Sequence, residues 1–208
     1  MIQAIIFDWG GVLIQDPTPE FVRFFSSYFH VPKKKFLSTY KNYLSAFQKN
    51  LITEQEFWNL VCSVMNVSAP REDLWKKVFK HAYQENQNMF LLVSTLKKKG
   101  YRIGLLSNTE QPVLEFFYEQ RYPHFDTIVF SCTEHVVKPD KKIYTIMLDR
   151  LDLTPGECVF IDDQKTNVVS AVEMGLYGIV FHNITQCVQD LEKLGISINN
   201  KPNTQKRA

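Results

Sequence analysis

Three carboxylates stand at the ends of two strongly apolar runs, and their placement points to metal-assisted chemistry. Asp8 closes Ile2-Gln3-Ala4-Ile5-Ile6-Phe7, and the pair Asp162-Asp163 closes Cys158-Val159-Phe160-Ile161. Short runs rich in Ile, Val and Phe read as strands buried on both faces, as in parallel sheets. In open α/β sheets, ligands bind in the crevice beyond the carboxyl ends of such strands. Acids gathered there repel one another unless a cation lies between them. An oxygen-only donor set favours a hard ion such as Mg2+.

Two further strand ends bear on what such a site does. Leu105-Leu106-Ser107-Asn108-Thr109 offers a hydroxyl and backbone amides at a helix start, a natural anion site. Ser107 and Asn108 are equally suited to plain helix capping. Val136-Val137-Lys138-Pro139-Asp140 sets a lysine just before a helix. Beside an anion site, its ammonium balances charge on a nucleophile and on phosphate. Asn167 follows Asp162-Asp163 in the pattern DDxxxN. Asp8 taken alone reads as the start of a turn; beside a metal it reads as a nucleophile able to form a covalent intermediate. With four strand ends supplying nucleophile, hydroxyl, cation and metal ligands, the chemical reading outweighs a set of unrelated turns and caps.

The elements that must position these residues follow from periodicity. After Asp8, Gly10-Gly11 makes a flexible exit, and Pro17 and Pro19 punctuate the next loop. Helical spacing then takes over: Phe21, Phe24, Phe25, Tyr28 and Phe29; Phe36, Tyr40, Tyr43, Leu44 and Phe47; Phe57, Leu60, Val61, Val64 and Met65; Leu74, Val78, Phe79 and Ala82. Thr53-Glu54-Gln55-Glu56 is a capping-box pattern opening the third of these stripes. Residues from about 18 to 84 therefore predict four helices without a strand. Beyond them, alternation returns: a helix near 87–99 ending at Gly100, a strand at 101–106, a helix from about Thr109, and a strand at 127–130. A helix over roughly 140–151, the strand at 158–161, a helix near 165–174 ending at Gly175, and a strand near 177–181 complete the series. Such alternation means βαβ units and a parallel sheet. The expected fold is α/β, with an all-helical cap at 16–85 inserted into a core of 1–15 and 86–198, and a flexible tail at 199–208.

Bulk properties narrow the classes. At 208 residues, 45% hydrophobic and 22% charged, the chain suits a soluble globular protein. A net charge of +2 argues for neither nucleic acid nor a membrane surface. The runs Lys33-Lys34-Lys35 and Lys97-Lys98-Lys99 read as solvated helix faces. Cys62, Cys132, Cys158 and Cys187 are scattered without a CxxC pair, so neither a zinc site nor a disulfide scaffold is expected. No apolar stretch approaches membrane-spanning length and no signal peptide is evident, so the expectation is a cytoplasmic protein.

The segments FDWGGVL at 7–13, LLSNT at 105–109, KPDKKIY at 138–144 and VFIDDQKTN at 159–167 together resemble the haloacid dehalogenase superfamily of aspartyl-nucleophile hydrolases. That resemblance implies a Rossmann-like core with a helical cap inserted after the first motif. It implies Asp8 as nucleophile, Ser107 and Asn108 on the phosphate, and Lys138 as the stabilising cation. Asp8, Asp162, Asp163 and the carbonyl of Gly10 would hold Mg2+, with Asn167 in support. The Gly-Gly after the nucleophile and the KPD-x-x-IY stretch look most like bacterial sugar-phosphate phosphatases, the glucose-1-phosphate branch above all.

One departure matters. The family's phosphatases usually carry a second Asp two residues after the nucleophile, as general acid and base, and here that residue is Gly10. General acid–base help is worth about 10²–10⁴ in rate, so its loss biases the enzyme toward acidic leaving groups such as anomeric or aryl oxygens. Water, a cap residue or Asp16 could partly replace it. Three functions follow. The first is a Mg2+-dependent phosphatase acting on a small phosphorylated metabolite through an aspartyl phosphate. The second is a 2-haloacid dehalogenase, which needs no metal and leaves the Asp162-Asp163 pair without a purpose. The third is a catalytically weak protein that binds a phosphorylated ligand or a partner.

Overall fold

The computed structural model describes residues 1–122 and 125–198; the expected tail at 199–208 lies outside them. Among the described residues, five strands form one all-parallel sheet: β1 (Ala4–Phe7), β2 (Arg102–Ser107), β3 (Thr127–Phe130), β4 (Cys158–Asp162) and β5 (Tyr177–Val180), in the order β3-β2-β1-β4-β5. β1 sits at the centre, so its side chains are buried on both faces. Ile5 and Phe7 face one apolar layer, and Ala4 and Ile6 face the other. This period-two division is why the run looks uniformly apolar in sequence.

Helices α1 (Thr18–Tyr28), α2 (Lys33–Gln48), α3 (Glu54–Met65) and α4 (Trp75–Ala82) all fall between β1 and β2. Thr53 caps α3 as its sequence predicts: its hydroxyl accepts from Glu56 N at 3.2 Å, and its own N–H donates to Glu56 Oε2 at 2.8 Å. The aromatic stripes of these helices meet one another. Phe25 lies 4.4 Å from Trp58 between ring centroids, and Trp75 lies 4.8 Å from both Phe21 and Phe47. Aromatic pairs of this kind add about 0.5–1.5 kcal/mol each beyond their buried area. Where the chain leaves and re-enters the core, Ile14 forms an antiparallel bridge with Glu85. Trp9 ties this loop down by packing on Phe79 of α4 and on Phe117.

The remaining helices flank the sheet: α5 (Gln87–Lys98), α6 (Gln111–Glu119), α7 (Ser131–Glu134), α8 (Lys141–Leu151), α9 (Lys165–Glu173) and α10 (Ile184–Lys193). Three differ from the sequence expectation. α6 begins two residues later than Thr109, because Thr109 N donates to Ser131 Oγ and Glu110 is extended, with Pro112 in the first turn. α7 is a single turn between β3 and the Lys138 loop, too short to leave a periodicity. α10 was not anticipated, although Asn183 caps it through Gln186 N and its Cys187 and Leu191 are buried. No described helix is long and apolar enough to cross a membrane.

Candidate active site

The register of the sheet brings the two carboxylate clusters together. Phe7 pairs with Ile161 on one side and with Leu105 on the other, and Asp8 N continues the ladder to Ile161 O at 2.9 Å. Asp8 and Asp162 therefore leave neighbouring strands at the same level, at the carboxyl edge. One oxygen from each of Asp8, Asp162 and Asp163 falls within 4.8 Å of the others.

Lys138 sits among them with its side chain 1% exposed. Its Nζ lies 2.8 Å from Asp8 Oδ1 and 2.7 Å from Asp162 Oδ2, and donates to Leu106 O at 2.9 Å. Asn108 fixes the lysine's backbone from across the site: its Oδ1 accepts from Lys138 N at 2.8 Å, and its Nδ2 donates to Lys138 O at 3.1 Å. The Asn108 side chain is thus engaged first in placing Lys138, with one amide hydrogen left over. Asn167 Nδ2 donates to both oxygens of Asp162, at 3.0 and 3.1 Å, and its own carbonyl accepts from the Tyr144 hydroxyl at 2.9 Å. Ser107 closes β2, and its Oγ accepts from Thr109 Oγ1 at 2.9 Å.

Charge in this cluster is unbalanced. Burial pushes the Asp8 carboxyl up to about 8 against the pull of Lys138, with repulsion from Asp162 and Asp163 adding to the rise. Burial also raises Asp163. For Lys138 burial works toward loss of the proton, but attraction to Asp8 and Asp162 outweighs it and keeps the ammonium charged. Three converging hard oxygens with one lysine between them fit a divalent cation of the Mg2+ type.

The orientation of Asp8 is set by two donors on one oxygen. Trp9 N donates to Oδ1 at 2.7 Å, the same atom that Lys138 approaches. Both of these contacts fall on Oδ1, and Asp8 lines the cavity above the cluster.

A cavity of about 240 Å³ opens over this cluster. Asp8, Gly10, Ser107, Asn108, Lys138, Asp163 and Asn167 all line it, while Asp162 lies fully buried beneath. Of the cap aromatics, Phe21, Tyr40, Trp75 and Phe79 reach the cavity, Phe47 and Trp58 stay in the cap interior, and Tyr28 is exposed. Asp16 lines the rim but is exposed, with its Oδ1 accepting from Thr18 N at 2.9 Å.

Gly11 does more than give the chain a flexible exit from β1. Its φ is +81°, and a Cβ there would stand 2.7 Å from Asp163 Cγ. Only glycine lets the Asp163 carboxyl close in on this loop. Glu110, Gln48 and Trp75 also line the cavity. No local motif marks them, since Gln48 and Glu110 meet across 62 positions of sequence.

A family model for haloacid dehalogenase-like hydrolases matches residues 2–175. The chain is 27% identical over 204 residues to flavin mononucleotide hydrolase 1 of Arabidopsis thaliana, covering 95% of this chain and 80% of that protein. It is 27% identical over 193 residues to phosphorylated carbohydrates phosphatase of Thermotoga maritima, covering 86% of each. It spans 19% and 21% of the length of two larger curated relatives that it matches. Among solved structures, a HAD family enzyme of Bacteroides thetaiotaomicron, in complex with magnesium and inorganic phosphate, shares the fold. Its TM-score is 0.67 at 21% identity, covering 88% of this chain and 95% of that one. The chain belongs to the haloacid dehalogenase-like hydrolases.

Proposed function

We propose that this enzyme is a Mg2+-dependent phosphatase of small phosphorylated metabolites, working through an aspartyl phosphate on Asp8. The observation that carries the reading is the convergence of Asp8, Lys138, Asp162 and Asp163 within hydrogen-bonding and ligand distance under one cavity. In this reading residues 1–15 and 86–198 form the catalytic core, and 16–85 form the cap that encloses the substrate.

Asp8 attacks phosphorus with the oxygen that Lys138 and Trp9 leave unoccupied. The P–O bond to the leaving group breaks with its electron pair on that oxygen, and the phosphoryl group stays on Asp8 until water displaces it as inorganic phosphate. Lys138 holds Asp8 in place and offsets charge on the transferring group. Ser107 and the free amide hydrogen of Asn108 hold the phosphate oxygens, and Asn167 fixes Asp162. Asp8, Asp162, Asp163 and the Gly10 carbonyl would hold Mg2+, which when bound would supply positive charge against the phosphate oxygens.

Gly10 carries no side chain to protonate the departing oxygen, which favours acidic leaving groups. Anomeric sugar phosphates meet that requirement, and the carbohydrate-phosphate phosphatase among the relatives supports a sugar substrate. The purified protein is assayed for released phosphate on a panel of phosphate monoesters, with Mg2+ and with chelator. Turnover that requires Mg2+ and vanishes in Asp8→Asn supports the reading. Chelator-resistant release of halide from 2-haloacids replaces it with the dehalogenase. Folded protein that turns over neither class leaves a binding protein.

A further inference from the structure

The Asp8 cavity also holds a buried carboxyl, Glu110, that phosphoryl transfer does not use. Past the carboxylate floor the wall consists of Phe21, Tyr40, Trp75 and Phe79, with Gln48 and Glu110 between core and cap. Glu110 is 8% exposed, and its Oε1 accepts from Gln48 Nε2 at 2.9 Å. The fully buried Trp75 indole N–H is turned toward the same carboxyl yet makes no hydrogen bond of normal geometry.

Burial raises the Glu110 pKa, while Gln48, Trp75 and its own backbone pull it back as neutral donors. Among the described residues no cation pairs with it, so a bound cation would be what keeps it ionised. Lys138, the cation lining this cavity, is already committed to Asp8 and Asp162. Tyr40 stands within the field of both Glu110 and the rim acid Asp16. A buried carboxylate without a counter-cation is unfavourable, whereas aromatic faces beside a carboxylate attract positive charge.

We propose that the leaving group carries an ammonium, bound against Glu110 among Phe21, Tyr40 and Trp75 while its phosphate sits over Asp8. The substrate class is a phosphate monoester of a small amino alcohol or amino sugar, zwitterionic end to end. This assignment rests on the phosphatase reading and adds Glu110 as the residue that sets specificity.

Two matched pairs test it. Phosphocholine and 3,3-dimethylbutyl phosphate have the same shape and differ by one charge; glucosamine 1-phosphate and glucose 1-phosphate differ by one amine. The wild type is expected to prefer the cationic member of at least one pair by about tenfold or more in kcat/KM. The preferred pair distinguishes amino alcohol from amino sugar. Because an ammonium also makes its alcohol a better leaving group, the deciding quantity is the ratio within a pair in Glu110→Gln, which keeps shape and removes charge. Collapse of that ratio toward unity supports the proposal. An unchanged ratio, or no preference in either pair from an enzyme that hydrolyses aryl phosphates, overturns it and leaves the phosphatase reading standing. Failure on every ester, aryl phosphates included, removes both. Should Glu110→Gln not fold, inhibition of the wild type by tetramethylammonium but not by neopentyl alcohol decides in its favour, and equal inhibition decides against.

Discussion

Replacing Gly10 by Asp should install the proton donor that this enzyme lacks. The position accepts the side chain: an ideal Cβ on Gly10 meets Pro17 Cδ at 3.7 Å, an ordinary van der Waals contact, and its φ is not in the left-handed region that strains Gly11 next door. Residue 10 also lines the cavity. A well-placed general acid gives about 10²–10⁴ in rate, or roughly 3–5 kcal/mol. The new carboxyl joins a site already rich in acids, so part of this is lost to repulsion. The expected gain is about 10–100-fold in kcat/KM for primary alkyl phosphates. Aryl phosphates with acidic leaving groups should change by less than about threefold, since their oxygens depart without a proton. The assay is a series of monoesters graded in leaving-group basicity, compared at saturating Mg2+. The slope of log kcat/KM against that basicity is steep in the wild type and shallower in the variant. A uniform change across the series, or no change in a variant with unaltered Mg2+ dependence, refutes the reasoning.

Other substitutions probe the parts around that vacancy in proton transfer. Gly11→Ala drives a Cβ to within 2.7 Å of Asp163 Cγ at a φ of +81°, with a left-handed backbone cost of about 1–2 kcal/mol. Thermal melts should show the stability loss, and the Mg2+ concentration for half-maximal activity should rise by about tenfold or more as Asp163 is displaced. Lys138→Arg does not conserve function, because Nζ contacts three oxygens within 2.9 Å at a side chain 1% exposed. A planar guanidinium cannot enter that space, and kcat should fall by at least about 10²-fold; near-wild-type turnover would sink the role given to the lysine. Glu54 tests the cap. Its Oε1 accepts from Trp58 Nε1 at 3.1 Å and from Trp75 N at 2.8 Å, while burial lifts its pKa above the ordinary 4.5. The folded state therefore holds this proton more tightly than the unfolded one. The stability it contributes is full below 4.5 and is lost as pH rises through the lifted value. Glu54→Gln keeps an acceptor for both donors, so it should match the wild type in acid and melt higher at neutral pH. Glu54→Leu strands both donors and should lose about 1–3 kcal/mol for each.

How much of this was legible in the sequence depends on whether the cause was local. The three internal strands, β2, β1 and β4, are plain in the sequence because an internal parallel strand is apolar on both faces, and the clusters at Asp8 and Asp162-Asp163 stand out against those runs. The edge strands β3 and β5 are only partly buried. The Thr53 capping box was equally plain, since its bonds close within three residues. The α10 spacing of Ile184, Cys187, Val188 and Leu191 was present but lay past the last strand, where no chemistry drew attention to it. The start of α6 was misplaced because Thr109 and Glu110 answer to Ser131 and Gln48, partners distant in the chain. Tyr28 shares its helical stripe with buried rings yet ends 45% exposed, because it closes α1 at the helix terminus. Gly11 could be seen as glycine but not as necessary, since the atom that excludes a Cβ belongs to a residue 152 positions later.

The electrostatics of the cavity argue that its acids are kept for binding rather than for stability. One lysine serves Asp8 and Asp162, while Asp163 has Gln164 Nε2 at 2.7 Å and no cation in contact among the described residues. Burying carboxylates in excess of their counter-charges destabilises a fold, and apolar residues of similar volume would fill the space at less cost. The stacked rings of α1 to α4 offset that penalty from the cap side without neutralising any of it. With nothing bound, burial drives Asp8, Asp163 and Glu110 toward their protonated forms, and a bound cation would instead hold them ionised. At the floor, three ionised carboxylates exceed Lys138 by two negative charges, which a divalent cation would offset. On the core side of the cap interface, Glu110 has Gln48 and aromatic rings beside it but no cation among the described residues, and a phosphate cannot satisfy it. On the proposed reading, a ligand that relieves both ends at once would be negative over Asp8 and positive against Glu110.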